Sequence, residues 1–171
     1  MVTLLCLLQL GFIYSGTKEF FVLLQVNPGF IFEVRQGDIF ALADPQSSLA
    51  HCVSADLHLG GGISKGFRDQ FGRVNELKAQ FPQVGNIVVL AEPQRFIYNL
   101  VTKPEYKDKP SYEALGQSLA QMKAHALLTK QQKISMPRLG CGLDKLDWNH
   151  VSRMIMQTFQ DTNIHIVVYV V

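Results

Sequence analysis

The sequence predicts an α/β protein: one sheet with helices covering both faces. Two observations point there. Strand-like runs and helical stripes alternate along the chain, which is the pattern of layered α/β domains. Runs such as "SLAHCVS" and "NIHIVVYVV" are apolar almost throughout, as strands buried on both faces are. A third feature bears on function. Glycine-rich or Gly-Asp turns follow several strand-like runs, and ligands of open α/β sheets bind beyond the carboxyl ends of strands.

"FIFEVRQGD" reads as a strand from Phe30 to Arg35 that ends at Gly37. "SLAHCVS" is a buried strand that feeds the turn-rich "ADLHLGGG". Phe67, Phe71, Val74, Leu77 and Phe81 then recur at helical spacing, and Gly72 should divide that stripe into two helices. "NIVVL" and "RFIYNLVT" flank the turn "AEPQ" as a hairpin. Ser111 should cap a helix whose buried face carries Leu115, Leu119, Met122 and Ala126. "KISMP" is a short strand, and Asp147 caps a helix bearing Val151, Met154, Ile155 and Phe159. "NIHIVVYVV" closes the chain as a buried strand. Trp148, Tyr98, Phe67 and Phe71 are read as core, and His51 as a hydrogen-bonded core histidine.

A length of 171 residues, 47% apolar and 18% charged, fits one domain with a real core. Sixteen basic and fourteen acidic side chains leave a net charge of +2, too weak to argue for direct nucleic-acid binding. Cys6, Cys52 and Cys141 are odd in number and widely spaced, so a reducing compartment is expected rather than a disulfide framework. No C-x-x-C or H-x-x-x-H pair favours a metal site. The opening "MVTLLCLLQLGFIYSG" is about as long as the apolar core of a secretory leader. It lacks preceding basic residues and a clear cleavage site, and it falls short of the roughly 20 apolar residues that span a bilayer. Residues 1–30 are therefore expected to be an atypical apolar extension, not part of a membrane protein, with the folded domain over 31–171.

Three loops carry the candidate chemistry. "LGGGISKGF" runs from glycines into a helix start, where free N–H groups suit a phosphate; an ordinary tight turn explains it as well. It is neither a Walker loop nor a G-x-G-x-x-G fingerprint. "RLGCGLD" is a second glycine loop between strand and helix, and two such loops at one sheet edge suit a nucleotide diphosphate. Asp38 follows Gly37 at the first strand's end. It serves either an Asx-turn or, as an acceptor-only carboxylate, an exocyclic amine such as that of adenine. Lys103 ends an apolar run and precedes Pro104. Such a lysine is most often a solvated strand end. At a ligand-facing edge, however, it can lose its proton and attack as an amine. Cys141, set between two glycines, is read as a small packing residue rather than a nucleophile.

The stretches "GDIFA", "LAHCVSADLHLGGGI", "FIYNLVTK", "PSYEAL", "MKAH" and above all "SMPRLGCGLDKLDW" resemble the macrodomain family. The likeness is to its small single-domain members that remove ADP-ribose from protein glutamate and aspartate. It runs in order from about Ile31 to Val171, and residues 1–30 take no part. It implies a three-layer α/β/α fold with a mixed sheet. By matching position, Asp38 would hold the adenine amine and Ile39 would pack beside it. Ser54, Gly60, Gly61, Gly62 and Ile63 would lie along the diphosphate and distal ribose. Arg138, Leu139, Gly140, Cys141, Gly142 and Leu143 would form the second phosphate loop, and Val171 would touch the adenine side. Lys103 matches the family's catalytic lysine and Asp144 its catalytic aspartate. Other hydrolytic macrodomains carry an asparagine-rich motif before the glycine loop. Here that place reads "HCVSAD", so their water-activating mechanism is not supported.

The resemblance further implies a monomeric hydrolase of the nucleus and cytoplasm, linked to the DNA damage response, with no metal or cofactor. Its expected partners are ADP-ribose, ADP-ribosylated proteins including terminal-linked or poly-ADP-ribose chains, and O-acyl-ADP-ribose, which it would deacylate. Lys103 would attack the anomeric carbon of the distal ribose, and Asp144 would help hydrolyse the lysyl–ADP-ribose intermediate. The competing class is a reader that binds ADP-ribose without cleaving it. Lys103 and Asp144 separate the two, and both are present. The sequence "KPEYKDK" departs from the family in placing Pro104 after the lysine, which leaves the aim of Lys103 open.

Overall fold

A computed structural model describes Asn27 and residues 29–171. The leader-like run and Cys6 lie outside the described residues. The elements, in chain order, are β1 (Ile31–Gln36), α1 (Ile39–Leu42), β2 (Ser48–Ser54), α2 (Gly62–Phe71), α3 (Val74–Lys78), β3 (Ile87–Ala91), β4 (Phe96–Lys103), α4 (Tyr112–Leu128), β5 (Lys133–Pro137), α5 (Trp148–Phe159) and β6 (His165–Val170). The six strands form one mixed sheet in the order β1-β6-β5-β2-β4-β3. All pairings are parallel except that of β3 with β4, which is the expected hairpin.

Side-chain alternation along the strands builds two cores, one on each face. On β6, Ile166 and Val168 join the α4 and α5 side with Leu115, Leu119, Met122, Ile155 and Phe159. Val167 and Tyr169 point the other way, toward Phe67 of α2 and Leu77 of α3. Tyr98 and Leu100 of β4 divide from Ile97 and Val101 in the same manner. Burying each such aliphatic side chain contributes about 1.5–3 kcal/mol, and this is why the predicted stripe of α4 closes onto the sheet.

Capping follows the sequence reading. Ser111 Oγ accepts from the Ala114 N–H at 3.0 Å, and Asp147 Oδ1 accepts from the His150 N–H at 2.9 Å. Gly72, at φ +57, separates α2 from α3. One expectation needs correction. Phe81 does not extend the helical stripe: α3 stops at Lys78, and Phe81 is left-handed and 81% exposed. Trp148 packs against the core from its rim, as the first residue of α5, with the Arg138 guanidinium 5.4 Å from its ring. The short helix α1 was not foreseen; a run of four residues is too brief for a helical period to show.

His51 is fully buried, stacked on Phe67 with ring centroids 3.9 Å apart. Asn99 donates through Nδ2 to the carbonyls of Val88 and Ile97, so its Oδ1 faces His51 Nε2, at 2.7 Å, as an acceptor. Burial pushes the His51 pKa down to about 4, despite the hydrogen bond to Asn99. The unfolded chain then binds the proton first as pH falls. The contribution of His51 is whole above about pH 6.5 and is lost as pH falls to about 4, on the order of 3 kcal/mol in all. In the folded protein the His51 ring resonances should stay unmoved from pH 7 to about 5 by NMR. A midpoint near the ordinary histidine value would contradict this burial.

Candidate active site

Five strands, β1, β2, β4, β5 and β6, run parallel, so their carboxyl ends and the loops that follow them share one edge of the sheet. This topology gathers residues far apart in sequence. Lys103 ends β4, and Asp144 lies in the loop between β5 and α5. Lys103 Nζ donates to Asp144 Oδ1 at 2.6 Å and to the Tyr106 carbonyl at 2.9 Å. Their side chains are 11% and 18% exposed, sheltered yet reachable. The pairing register of β2 with β4 slips between Val53 and Ser54, so Ser54 stands opposite Lys103. A bulge of this kind re-aims a side chain at a strand's end.

The two glycine loops meet. A Cβ placed on Gly61 would lie 3.3 Å from Leu143 Cδ1, and one on Gly62 would lie 3.4 Å from it. Gly61 is also the N-cap of α2, and it has no capping side chain. Ile63, in the first turn of that helix, is partly exposed. Gly60 has the His58 ring over the place a Cβ would take. The two glycines around Cys141 have different reasons. Gly140 takes φ +66 and packs against Leu146, so no other residue fits without strain. Gly142 faces open space, and its bare backbone leaves the loop unobstructed.

The remaining predicted residues divide by what they expose. Asp38 is exposed, and one of its oxygens caps α1 through the Phe40 N–H at 2.9 Å, leaving the other free to accept. The turn reading of Asp38 is the one observed, and the side chain keeps an oxygen for an outside donor. Ile39 and Leu139 are 2% and 1% exposed, committed to the core. Asp38, not Ile39, is the side chain of that turn a ligand can reach. Gly37 N–H donates to the Val170 carbonyl at 2.8 Å, which brings the fully exposed Val171 beside the Asp38 turn. Arg138 is exposed and stacked on Trp148. Leu143 is 78% exposed. Ser54 is buried and donates its proton to Asp56 Oδ1 at 2.5 Å, so toward a ribose hydroxyl it can only accept. The Cys141 thiol lies 3.2 Å from the Leu139 carbonyl, and burial pushes its pKa up to about 11; that of Cys52 is pushed to about 12 by the same cause. Neither is a thiolate near neutral pH.

Two participants were missed in the sequence. Asp56 accepts from Ser54 Oγ, His58 N–H and Tyr106 N–H, which joins the loops after β2 and β4. Its place two residues after Ser54, in a turn-rich stretch, was a usable signal. The Tyr106 carbonyl gave none, because a backbone acceptor has no signature in residue type. No cluster of three or more His, Cys, Asp or Glu is placed to hold a metal ion among the described residues. Among the same residues, no helix is long and apolar enough to cross a membrane. A polar cleft of about 520 Å³, lined by Asp44, Gln94, Lys130 and Lys133, lies at the opposite, amino edge of the strands. None of the predicted site residues borders it.

No protein-family model matches the chain. It is 46% identical over 134 residues to the ADP-ribose glycohydrolase OARD1 of Homo sapiens, covering 78% of this chain and 88% of that protein. Among solved structures, the macrodomain of Thermus aquaticus DarG superposes with a TM-score of 0.73 at 22% identity, over 84% of this chain and all (100%) of that one. Thermosipho africanus DarTG, in complex with ADP-ribose, gives 0.67 at 20% identity, over 80% of this chain and 41% of that one.

Proposed function

Because the chain belongs to the macrodomain family, sharing 46% identity with the glycohydrolase OARD1, we propose that it hydrolyses ADP-ribose from protein glutamate and aspartate through a covalent bond to Lys103. One observation supports this above the others: the lysine nitrogen and the Asp144 carboxylate are 2.6 Å apart at the loop edge.

An ammonium has no lone pair, and an ordinary lysine is neutral in less than about one part in a thousand at pH 7. Asp144 is the acceptor in direct contact and takes the proton. The freed amine attacks the anomeric carbon of the distal ribose. The bond from that carbon to the carboxylate oxygen breaks, and the glutamyl or aspartyl carboxylate leaves with its electron pair and takes the proton from Asp144. A water then attacks the same carbon and gives a proton to the Asp144 carboxylate, the carbon–nitrogen bond breaks with its pair on nitrogen, and Asp144 passes the proton back to the Lys103 amine. The sum is ester plus water to carboxylic acid plus ADP-ribose. Mono-ADP-ribose is the unit removed, with chains linked through their terminal ribose as a further substrate. O-acyl-ADP-ribose, which shares the nucleotide part, is deacylated at the same site.

Release of free ADP-ribose from a glutamate-linked ADP-ribosyl protein tests the proposal. A protein that binds ADP-ribose and releases none from that substrate is a reader instead. The free oxygen of Asp38 supports an adenine contact at the other end of the ligand. Asp38→Ala should weaken ADP-ribose binding by about 1.5–3 kcal/mol, the worth of one charge-assisted hydrogen bond. Calorimetry on the folded variant checks this, and unchanged affinity removes the adenine assignment.

A further inference from the structure

We propose that Asp56 is a positioning residue for Lys103, acting through the backbone of Tyr106. The proposal rests on reading Lys103 as the attacking amine. Asp56 grips the loop after β4 from two sides. Its N–H donates to the Pro104 carbonyl at 3.2 Å, and its Oδ2 accepts from the Tyr106 N–H at 3.2 Å. Its other oxygen is held by Ser54 Oγ and the His58 N–H. Burial works to raise the Asp56 pKa, but the hydrogen bonds from Ser54, His58 and Tyr106 outweigh it and hold the carboxyl below the usual range. The Tyr106 ring stacks on His58 with centroids 4.3 Å apart, and Glu105 and Asp108 close the far side of the loop with reciprocal hydrogen bonds of 3.0 Å.

This stitching turns the Tyr106 carbonyl onto Lys103 Nζ. The nitrogen is therefore held by two acceptors of different kinds. Asp144 can take a proton from it, whereas the carbonyl can only fix the direction of an N–H. With one proton gone and one N–H tied to Tyr106, the lone pair points in a set direction rather than rotating freely about the lysine stem. The same device answers the question Pro104 raises. The chain turns after the proline, and Asp56 returns it to the lysine.

The test compares wild type with Asp56→Asn and Asp56→Glu. Asn keeps an acceptor for Ser54 and His58 but sets an NH₂ group against the Tyr106 N–H; Glu keeps the carboxylate. Asp56→Asn should lower kcat on a glutamate-linked ADP-ribosyl peptide about ten- to a hundredfold, the scale of a misplacement near 1 Å, and leave KM and ADP-ribose affinity within about twofold. Asp56→Glu should recover part of the loss. A second readout needs no turnover. Acetylation of Lys103 by an amine-reactive ester, followed by peptide mapping, should speed up by about threefold or more in Asp56→Asn, because the amine is released from one acceptor that favours its charged form. An active wild type with kcat and labelling unchanged in Asp56→Asn overturns the proposal. So does a fall in kcat, affinity and melting temperature together without rescue by Glu, which is the mark of a structural residue. If wild type releases no ADP-ribose yet Lys103 labelling still shifts, the positioning stands and the hydrolase reading fails.

Discussion

Lys103→Ala should reduce release of ADP-ribose from glutamate-linked substrate by on the order of a thousandfold or more, about 4 kcal/mol of barrier. Without the amine no carbon–nitrogen bond forms, and Asp144 is left without its cation at 2.6 Å. Free ADP-ribose should still bind within a few-fold, because the Asp38 turn and the glycine loops are untouched. Lys103→Arg is the sharper variant. It retains the positive charge opposite Asp144, yet a guanidinium does not give up its proton and cannot attack. Equal inactivity of the Ala and Arg variants, with affinity retained, separates a nucleophile from a charge that only orients the substrate. Substantial turnover by Lys103→Arg would mean that charge alone suffices.

Asp144→Ala should fail at a different stage. The lysine then has only the Tyr106 carbonyl beside it, which cannot accept a proton. Attack by the lysine continues slowly, but no group activates the water that must release the sugar. Loss of a positioned acid–base group costs about 10²–10⁴-fold, so steady-state turnover should fall by that much. In single-turnover experiments, loss of the glutamyl linkage should run ahead of the appearance of free ADP-ribose. If Asp144→Ala slows the two events equally, Asp144 has no separate role in the second step.

How much of this could be read from residue order depends on the range of the interaction. The α4 stripe of Leu115, Leu119, Met122 and Ala126 is local, and all four are buried as the helical period predicts. The caps at Ser111 and Asp147 act within three residues and were legible for the same reason. The two glycine loops and Asp38 were found because glycine and aspartate at strand ends carry their own backbone chemistry. The family resemblance supplied the pairing of Lys103 with Asp144, 41 positions apart; no local pattern contains it. The aim of Lys103 past Pro104 was not legible at all. It depends on Asp56 reaching Tyr106 across 50 positions and on a carbonyl that every residue possesses. Phe81 failed in the opposite sense, since a period of spacing says nothing about where the helix stops.

The most direct test of the central claim is the mass of Asp144→Ala after incubation with glutamate-linked ADP-ribosyl protein. Intact-mass spectrometry should show the variant heavier by one ADP-ribosyl group, and peptide mapping should place that group on Lys103. The Lys103→Ala/Asp144→Ala double variant should show no such gain. Absence of the adduct under conditions where the glutamyl linkage is still being broken would contradict the covalent account, as would an adduct mapped to any other residue.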